Sequence, residues 1–245
     1  MLAVLALVAA PLSAAQAGPP FATDDPEPTG YGHFEIYLYS QGTSAGGDKT
    51  GTALGLSVDY GLLPGLQVSA SLPLDYDAPA RAKMKFGVSD AELGVKYRFI
   101  AEDDAGWRPQ ISFYPSVAMA LGDSGRAMGD KAMHVFLPLW AQKSFGSWTT
   151  FGGGGWRANP GRDGRNSWFA GWAVSRQITG SVQLGIEVFG ETAQTRGEKT
   201  STGVNMGAIY DLNESLHLVG SAGAVAGNPT ASAEPAYYLA VKWTT

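Results

Sequence analysis

Eight ionisable side chains fall at alternate positions of short apolar runs: Glu35, Asp59, Glu92, Lys96, Arg98, Glu187, His217 and Lys242. Period two puts them on one face of extended segments, opposite rows of leucine, valine and aromatic residues. Carboxylates, cations and an imidazole gathered on one side have two uses. They line a watery passage of mixed charge, with little preference between anions and cations, or they knit into a lattice of ion pairs that fills a narrow interior. If the segments pair in chain order and close on themselves, Glu35 and Lys242 come from the first and the last at similar heights. They are then expected to meet across the seam.

Other chemistries find less support. Of the three histidines, His33 and His217 are expected low in the interior, and His134 near the opposite rim, where it could meet lipid or an external substrate. No Ser or Asp stands at a telling spacing around His134, so no catalytic residue is assigned and a non-enzymatic role is expected. The run Asp24-Asp25-Pro26-Glu27-Pro28 has carboxylates enough for a hard cation but lacks the Asp-x-Asp-x-Asp spacing, and its prolines oppose the tight turn such a loop needs. It reads as a solvated tail or as a segment tucked inside as a plug, with no metal or cofactor. Gly152-Gly153-Gly154-Gly155 is followed by no helix that would offer its N-terminus to a phosphate. It reads as bare strand under aromatic cover. The chain has no cysteine, which excludes disulfides and thiolate metal sites. A net charge of −5 without a basic patch argues against nucleic acid.

Strands must carry the charged row. Phe34, Ile36 and Leu38 oppose His33, Glu35, Tyr37 and Tyr39, while Leu54, Leu56, Val58 and Tyr60 oppose Gly55, Ser57 and Asp59. The pattern returns over 66–74, 91–99, 111–121, 182–188, 204–210 and 237–243. Strands near 133–145, 147–157, 167–177 and 216–225, with less clean faces, complete the set. The total is about twelve, and single-chain bacterial barrels have an even number. Connections alternate in length. Tight ones contain Gly61-Leu62-Leu63-Pro64-Gly65, Phe145-Gly146-Ser147, Ile178-Thr179-Gly180-Ser181 and Leu212-Asn213-Glu214-Ser215; longer breaks fall at 42–51, 75–89, 122–132, 158–167, 193–201 and 226–234.

Alternation alone does not say which face points inward, since a lipocalin-like barrel also alternates. Two details favour lipid outside. Charges sit in mid-strand on the polar face, where a dry core would penalise them. Aromatics gather near strand ends, among them Tyr60, Tyr97, Trp140, Trp168 and Trp243, as membrane-interface girdles require. Lys143 and Arg176 end two apolar faces beside short turns, where snorkelling to headgroups is expected. The expected fold is all-β: a transmembrane up-and-down antiparallel β-barrel with a cleaved N-terminal signal peptide.

Residues 1–17 read as that signal peptide, an apolar core followed by Ala15-Gln16-Ala17, although a basic start is missing. Residues 18–30 form a periplasmic N-terminal segment and 31–245 the barrel. With both termini in the periplasm, long loops face outside. Outer-membrane lipid and lipopolysaccharide are then the surroundings, Arg81, Lys83, Lys85, Arg162 and Arg165 the loop cations that would meet phosphates, and a small-molecule solute the cargo. The last strand, Tyr237 to Trp243, is similar to the aromatic-rich strand that delivers barrels to the assembly machinery, but ends on Thr244-Thr245.

Four stretches resemble the outer-membrane transporter family named for the meta-pathway of phenol degradation. They are Gly18 to Pro28 with Gly32-His33-Phe34-Glu35, Asp90 to Phe99, Phe136 to Gly146, and Trp148 to Gly155. The resemblance implies a porin-like channel for passive passage of small solutes, aromatic or hydrophobic ones among them, with no catalytic residue and no cofactor. The alternatives are a closed structural or loop-binding barrel and a lipid-modifying enzyme at the outer leaflet.

Overall fold

The computed structural model describes residues 20–103, 106–122, 129, 132–161, 163–227 and 233–245. The expected signal peptide, most of the expected break at 122–132 and Arg162 lie outside the described residues. Among those described there are fourteen strand segments: β1 (Phe34–Ala45), β2 (Asp48–Leu63), β3 (Leu66–Ala78), β4 (Lys85–Val88), β5 (Ala91–Ile100), β6 (Gln110–Phe113), β7 (Ser116–Met119), β8 (His134–Phe145), β9 (Trp148–Ala158), β10 (Ser167–Thr179), β11 (Val182–Glu191), β12 (Ser201–Asp211), β13 (Leu216–Ala226) and β14 (Glu234–Thr244).

Neighbours pair antiparallel in chain order, and β1 pairs with β14 from Glu35 opposite Thr244 to Thr43 opposite Ala236, which closes the sheet. The fourteen segments make twelve staves. β4 lies on the upper part of β3 and leads into β5 on the lower part. β6 and β7 are halves of one stave between β5 and β8, parted at Tyr114-Pro115 because proline has no N–H for the ladder. The neighbours still reach across the gap: Val95 N–H donates to Pro115 O at 3.0 Å, and Tyr114 N–H to Pro138 O at 3.2 Å.

The four tight connections sit together at one rim with the start of β1 and the end of β14. One expected long break is not a loop. β1 and β2 run on to Ala45 and Asp48 and join through Gly46-Gly47, at φ 58° and 98°, the left-handed pair a two-residue hairpin requires. Residues 42–51 are polar on both sides because this hairpin rises past the apolar belt into water, not because it lacks structure. The same holds for part of 75–89, where β3 continues to Ala78 and pairs with β4.

The outer face is the oily one. Leu38, Leu54, Ile186, Met206 and Leu239 are 51–72% exposed, whereas Tyr39, Lys96 and Glu187 on the inner face are 3–4% exposed. Burying one such side chain is worth about 1.5–3 kcal/mol. A belt of them left bare on every stave is stable against hydrocarbon and not against water. Tyr97, Trp168 and Trp243 lie on this surface near strand ends, and Tyr60 is half-buried with its ring 4.5 Å from that of Phe34. Trp140 does not belong with them. It points inward and is 2% exposed, packed on Phe136 and Phe169. Both faces of β8 are apolar, Leu137 and Leu139 outside and Phe136 and Trp140 inside, so period two could not assign it. Lys143 differs from expectation too: it pairs with Glu102 at 3.2 Å and Asp103 at 3.5 Å from the β5–β6 connection. Arg176 lies 5.0 Å over the Trp148 ring.

The belt makes a direct prediction. Leu239→Arg should cost about 2–4 kcal/mol in urea titrations of the protein folded into lipid vesicles. On a water-soluble barrel the same exposed position would change stability by less than about 0.5 kcal/mol.

Candidate functional site: the lumen and its N-terminal segment

The inward row brings most of the expected charges together and adds a segment of chain to them. Residues 20–30, whose acidic run reads from sequence as a solvated tail or as a plug, lie within the barrel. Tyr31 forms a parallel bridge to Gly61 at the short-turn rim, and Gly32 N–H donates to Gly61 O at 2.8 Å. From there the chain, traced backward, climbs into the lumen. Prolines 20, 26 and 28 keep it extended and remove N–H donors that would otherwise need partners.

Several polar groups of the segment find wall residues, while Thr23 Oγ1 is buried without a hydrogen-bond partner. Thr29 donates its N–H and Oγ1 to Gln67 Oε1 at 2.7 and 3.1 Å. Glu27 lies 3.7 Å from Arg98. Lys96 Nζ, raised on β5, is 3.1 Å from both carboxylate oxygens of Asp24, donates to Asp25 O at 2.9 Å and lies 3.9 Å from the Asp25 carboxylate. Glu187 on β11 accepts the N–H of Ala22 at 3.0 Å, the N–H of Thr23, and Asn205 Nδ2 at 2.8 Å. Phe21 packs on Phe151 with ring centroids 6.0 Å apart, and on Ala173. Glycines make this approach possible. A Cβ on Gly171 would stand 2.0 Å from Thr23 Oγ1, and one on Gly185 or Gly207 would stand 2.8 Å from the Phe21 ring.

The seam carries its own pair. Lys242 Nζ and Glu35 Oε2 are 2.8 Å apart, Tyr37 donates its hydroxyl to Glu35 at 2.8 Å, and Lys242 lies 5.4 Å over the Tyr37 ring. Asp59 accepts from Ser69, and Glu92 from Ser116. Arg98 donates to Gln110 Oε1 at 3.1 Å. His217 stands apart at the rim, held by Asp211 at 2.6 Å and Thr244 Oγ1 at 3.2 Å.

Two cavities flank the segment. The larger, 460 Å³, lies towards the short-turn rim and is lined by Asp25, Glu27, Glu35, Asp59, Lys96 and Lys242, with Gln142, Ser144, Thr149 and Gln183 across from them. The smaller, 50 Å³, has room for a few waters and takes Asp24, Asp59, Glu92, Lys96 and three tyrosines, Tyr37, Tyr114 and Tyr238. The far wall is packed shut. Phe136, Trp140 and Phe169 meet edge to face at 6.2–6.5 Å, Phe189 stacks on Phe169 at 6.0 Å, and Ala22 of the segment rests against them. Above them Arg157 pairs with Glu191 at 3.2 Å and lies 4.6 Å over the Phe136 ring.

The aromatic cluster and the Arg157–Glu191 pair escaped the sequence reading because β8 to β10 carry apolar residues on both faces. The opposite charges at the far ends of β9 and β11, Arg157 and Glu191, were the available signal. Asp24 spends its carboxylate on Lys96, and among the described residues no group of three or more His, Asp or Glu is placed to hold a metal. Gly42-Thr43-Ser44-Ala45-Gly46 has the spacing of a nucleophile elbow, but it forms strand and hairpin with Ser44 opposite Lys49, not a strand-to-helix turn.

No family model matches the chain, and no curated protein matches it. Solved structures do. The COG4313 outer membrane channel from Pseudomonas putida F1 superposes with a TM-score of 0.72 at 15% identity, over 90% of this chain and 98% of that one. The NanC porin gives 0.63 at 10% identity, over 85% and 98%. The CymD monoaromatic hydrocarbon channel gives 0.50 at 8% identity, over 88% and 89%. At such identities the likeness is one of fold: a closed barrel shared with these outer-membrane proteins.

Removing the cation that holds the segment should release it. Lys96→Met strands the Asp24 carboxylate in a buried site, at a cost on the order of 3–5 kcal/mol while docked. Gly171→Val should release the segment by contact alone. In both variants chymotrypsin should cleave after Phe21, read by mass spectrometry of the product, under conditions that leave the wild-type segment whole.

Proposed function

We propose that this chain is a channel of the bacterial outer membrane for the passive passage of small solutes, with aromatic or hydrophobic compounds as its cargo. The observation that carries the reading is the way the lumen is filled. Half of it is packed wall, but the other half is occupied by a strand of chain held through ion pairs and through glycines that leave room for it. A barrel that only had to be solid would fill this space with side chains from its own staves. A separable segment with a 460 Å³ cavity beneath it is an obstruction that can shift.

The fold shared with outer-membrane channels and porins supports the location, and the oily exterior supports the same membrane setting. The rings exposed to or bordering the lumen, Tyr37, Tyr114, Tyr238 and Phe21, support aromatic cargo: flat apolar faces with hydroxyls at their edges suit phenol-like solutes. Outside, Arg81, Lys83, Lys85 and Arg165 are exposed cations near lipopolysaccharide phosphates in this orientation. The closed structural barrel is the second reading. The edge-to-face cluster around Trp140 favours it, since that half of the lumen is as tight as a protein core.

Planar-bilayer recording separates the two. The wild-type protein should give a small conductance, and Lys96→Met one several-fold larger. A phenol-sized aromatic added to one side should lower the current as its concentration rises. Folded protein that stays silent in both forms would sink the channel and leave the structural barrel.

A further inference from the structure

We infer that the N-terminal segment makes the vestibule select for cations, with Asp25 and Glu27 as the carboxylates that set the preference. The inference rests on the channel reading for its consequence, but not for its measurement. Around the 460 Å³ cavity the wall brings two carboxylates, Glu35 and Asp59, against two cations, Lys96 and Lys242. Alone, that wall is balanced. The segment adds Asp25 and Glu27, so four carboxylates stand against two cations.

Accessibility sharpens the difference. Lys96 is spent on Asp24, with side chains 5% and 2% exposed, and Lys242 is spent on Glu35 at 2.8 Å. Asp59 has a neutral hydroxyl, that of Ser69, as its hydrogen-bond donor. The charges that face the open space are those of Asp25 and Glu27, 40% and 62% exposed, with Arg98 at 29% beside Glu27. In a confined, low-dielectric cavity such a surplus concentrates ions of opposite sign, and salt screens it over about 10 Å at 0.1 M. The ligands are small: monovalent inorganic cations and organic ammonium ions. The notion of an even-handed mixed-charge passage applies to the wall and fails once the segment is docked.

The chain has no cysteine, so one can be introduced cleanly. Thr149→Cys places a thiol on the vestibule wall opposite the carboxylates. Its rates with a cationic and an anionic methanethiosulfonate of similar size, each divided by the rate of a free thiol, report the local ion preference. The normalised ratio should favour the cationic reagent about fivefold or more at low salt. It should fall to about one when Asp25→Asn and Glu27→Gln are added, with Asp24 left to hold the segment. Equal rates in the parent, or a ratio untouched by the two substitutions, would overturn the inference. Reversal potentials in a KCl gradient should shift the same way. A biased thiol in a protein that carries no current would sink the channel and keep the cation preference; a conducting protein without bias would do the reverse.

Discussion

Backbone pairing between β1 and β14 is the constraint on which the other features depend. Hydrocarbon offers no hydrogen-bond partner, so an open edge would leave a row of N–H and C=O groups each costing several kcal/mol. Closure removes both edges at once. It also decides what can be on each side, because alternation then commits every second residue to lipid and the rest to the lumen. The Glu35–Lys242 contact is a consequence: two charges on the first and last staves share a height only in a closed cylinder with this register.

The lumen is a second, softer problem. Its charges are too deep to be left alone, and Lys96 and Arg98 on the β5 wall invite an acidic partner. The chain supplies that partner from its own N-terminal side. Asp24 answers Lys96, Glu27 answers Arg98, and Glu187 takes the backbone donors of Ala22 and Thr23. A buried pair of this kind adds little net stability against an apolar replacement, while breaking it is costly. It therefore serves better to specify where the segment lies than to hold the barrel together. A binding element of this sort can be displaced without unfolding the staves, whose ladders do not include it.

Much of this was legible in the amino acids. Leu38, Leu54 and Leu239 against Tyr37, Glu35 and Lys242 announced two unlike faces, and twelve staves joined by alternating short and long links announced closure. Trp140 was misplaced because Leu137, Leu139 and Phe136 around it make β8 oily on both sides. The hairpin at Gly46-Gly47 looked like a loop because a strand wetted on both faces loses its period. Each failure occurred where the rule of one oily face and one polar face ceases to apply.

Period and turn chemistry, which are local, determined the strands and their number, and charges in mid-strand with aromatics near strand ends identified the row that faces inward. Only the tertiary structure decided where residues 20–30 go. Asp24-Asp25-Pro26-Glu27-Pro28 would be equally content in bulk water, and nothing nearby in sequence distinguishes a free tail from a plug. The distinction comes from Lys96, Arg98, Glu187 and Gly171, residues 71 to 165 positions away that the closed cylinder brings within reach. Long-range electrostatics and steric fit depend on that closure, and no pattern along the chain encodes them.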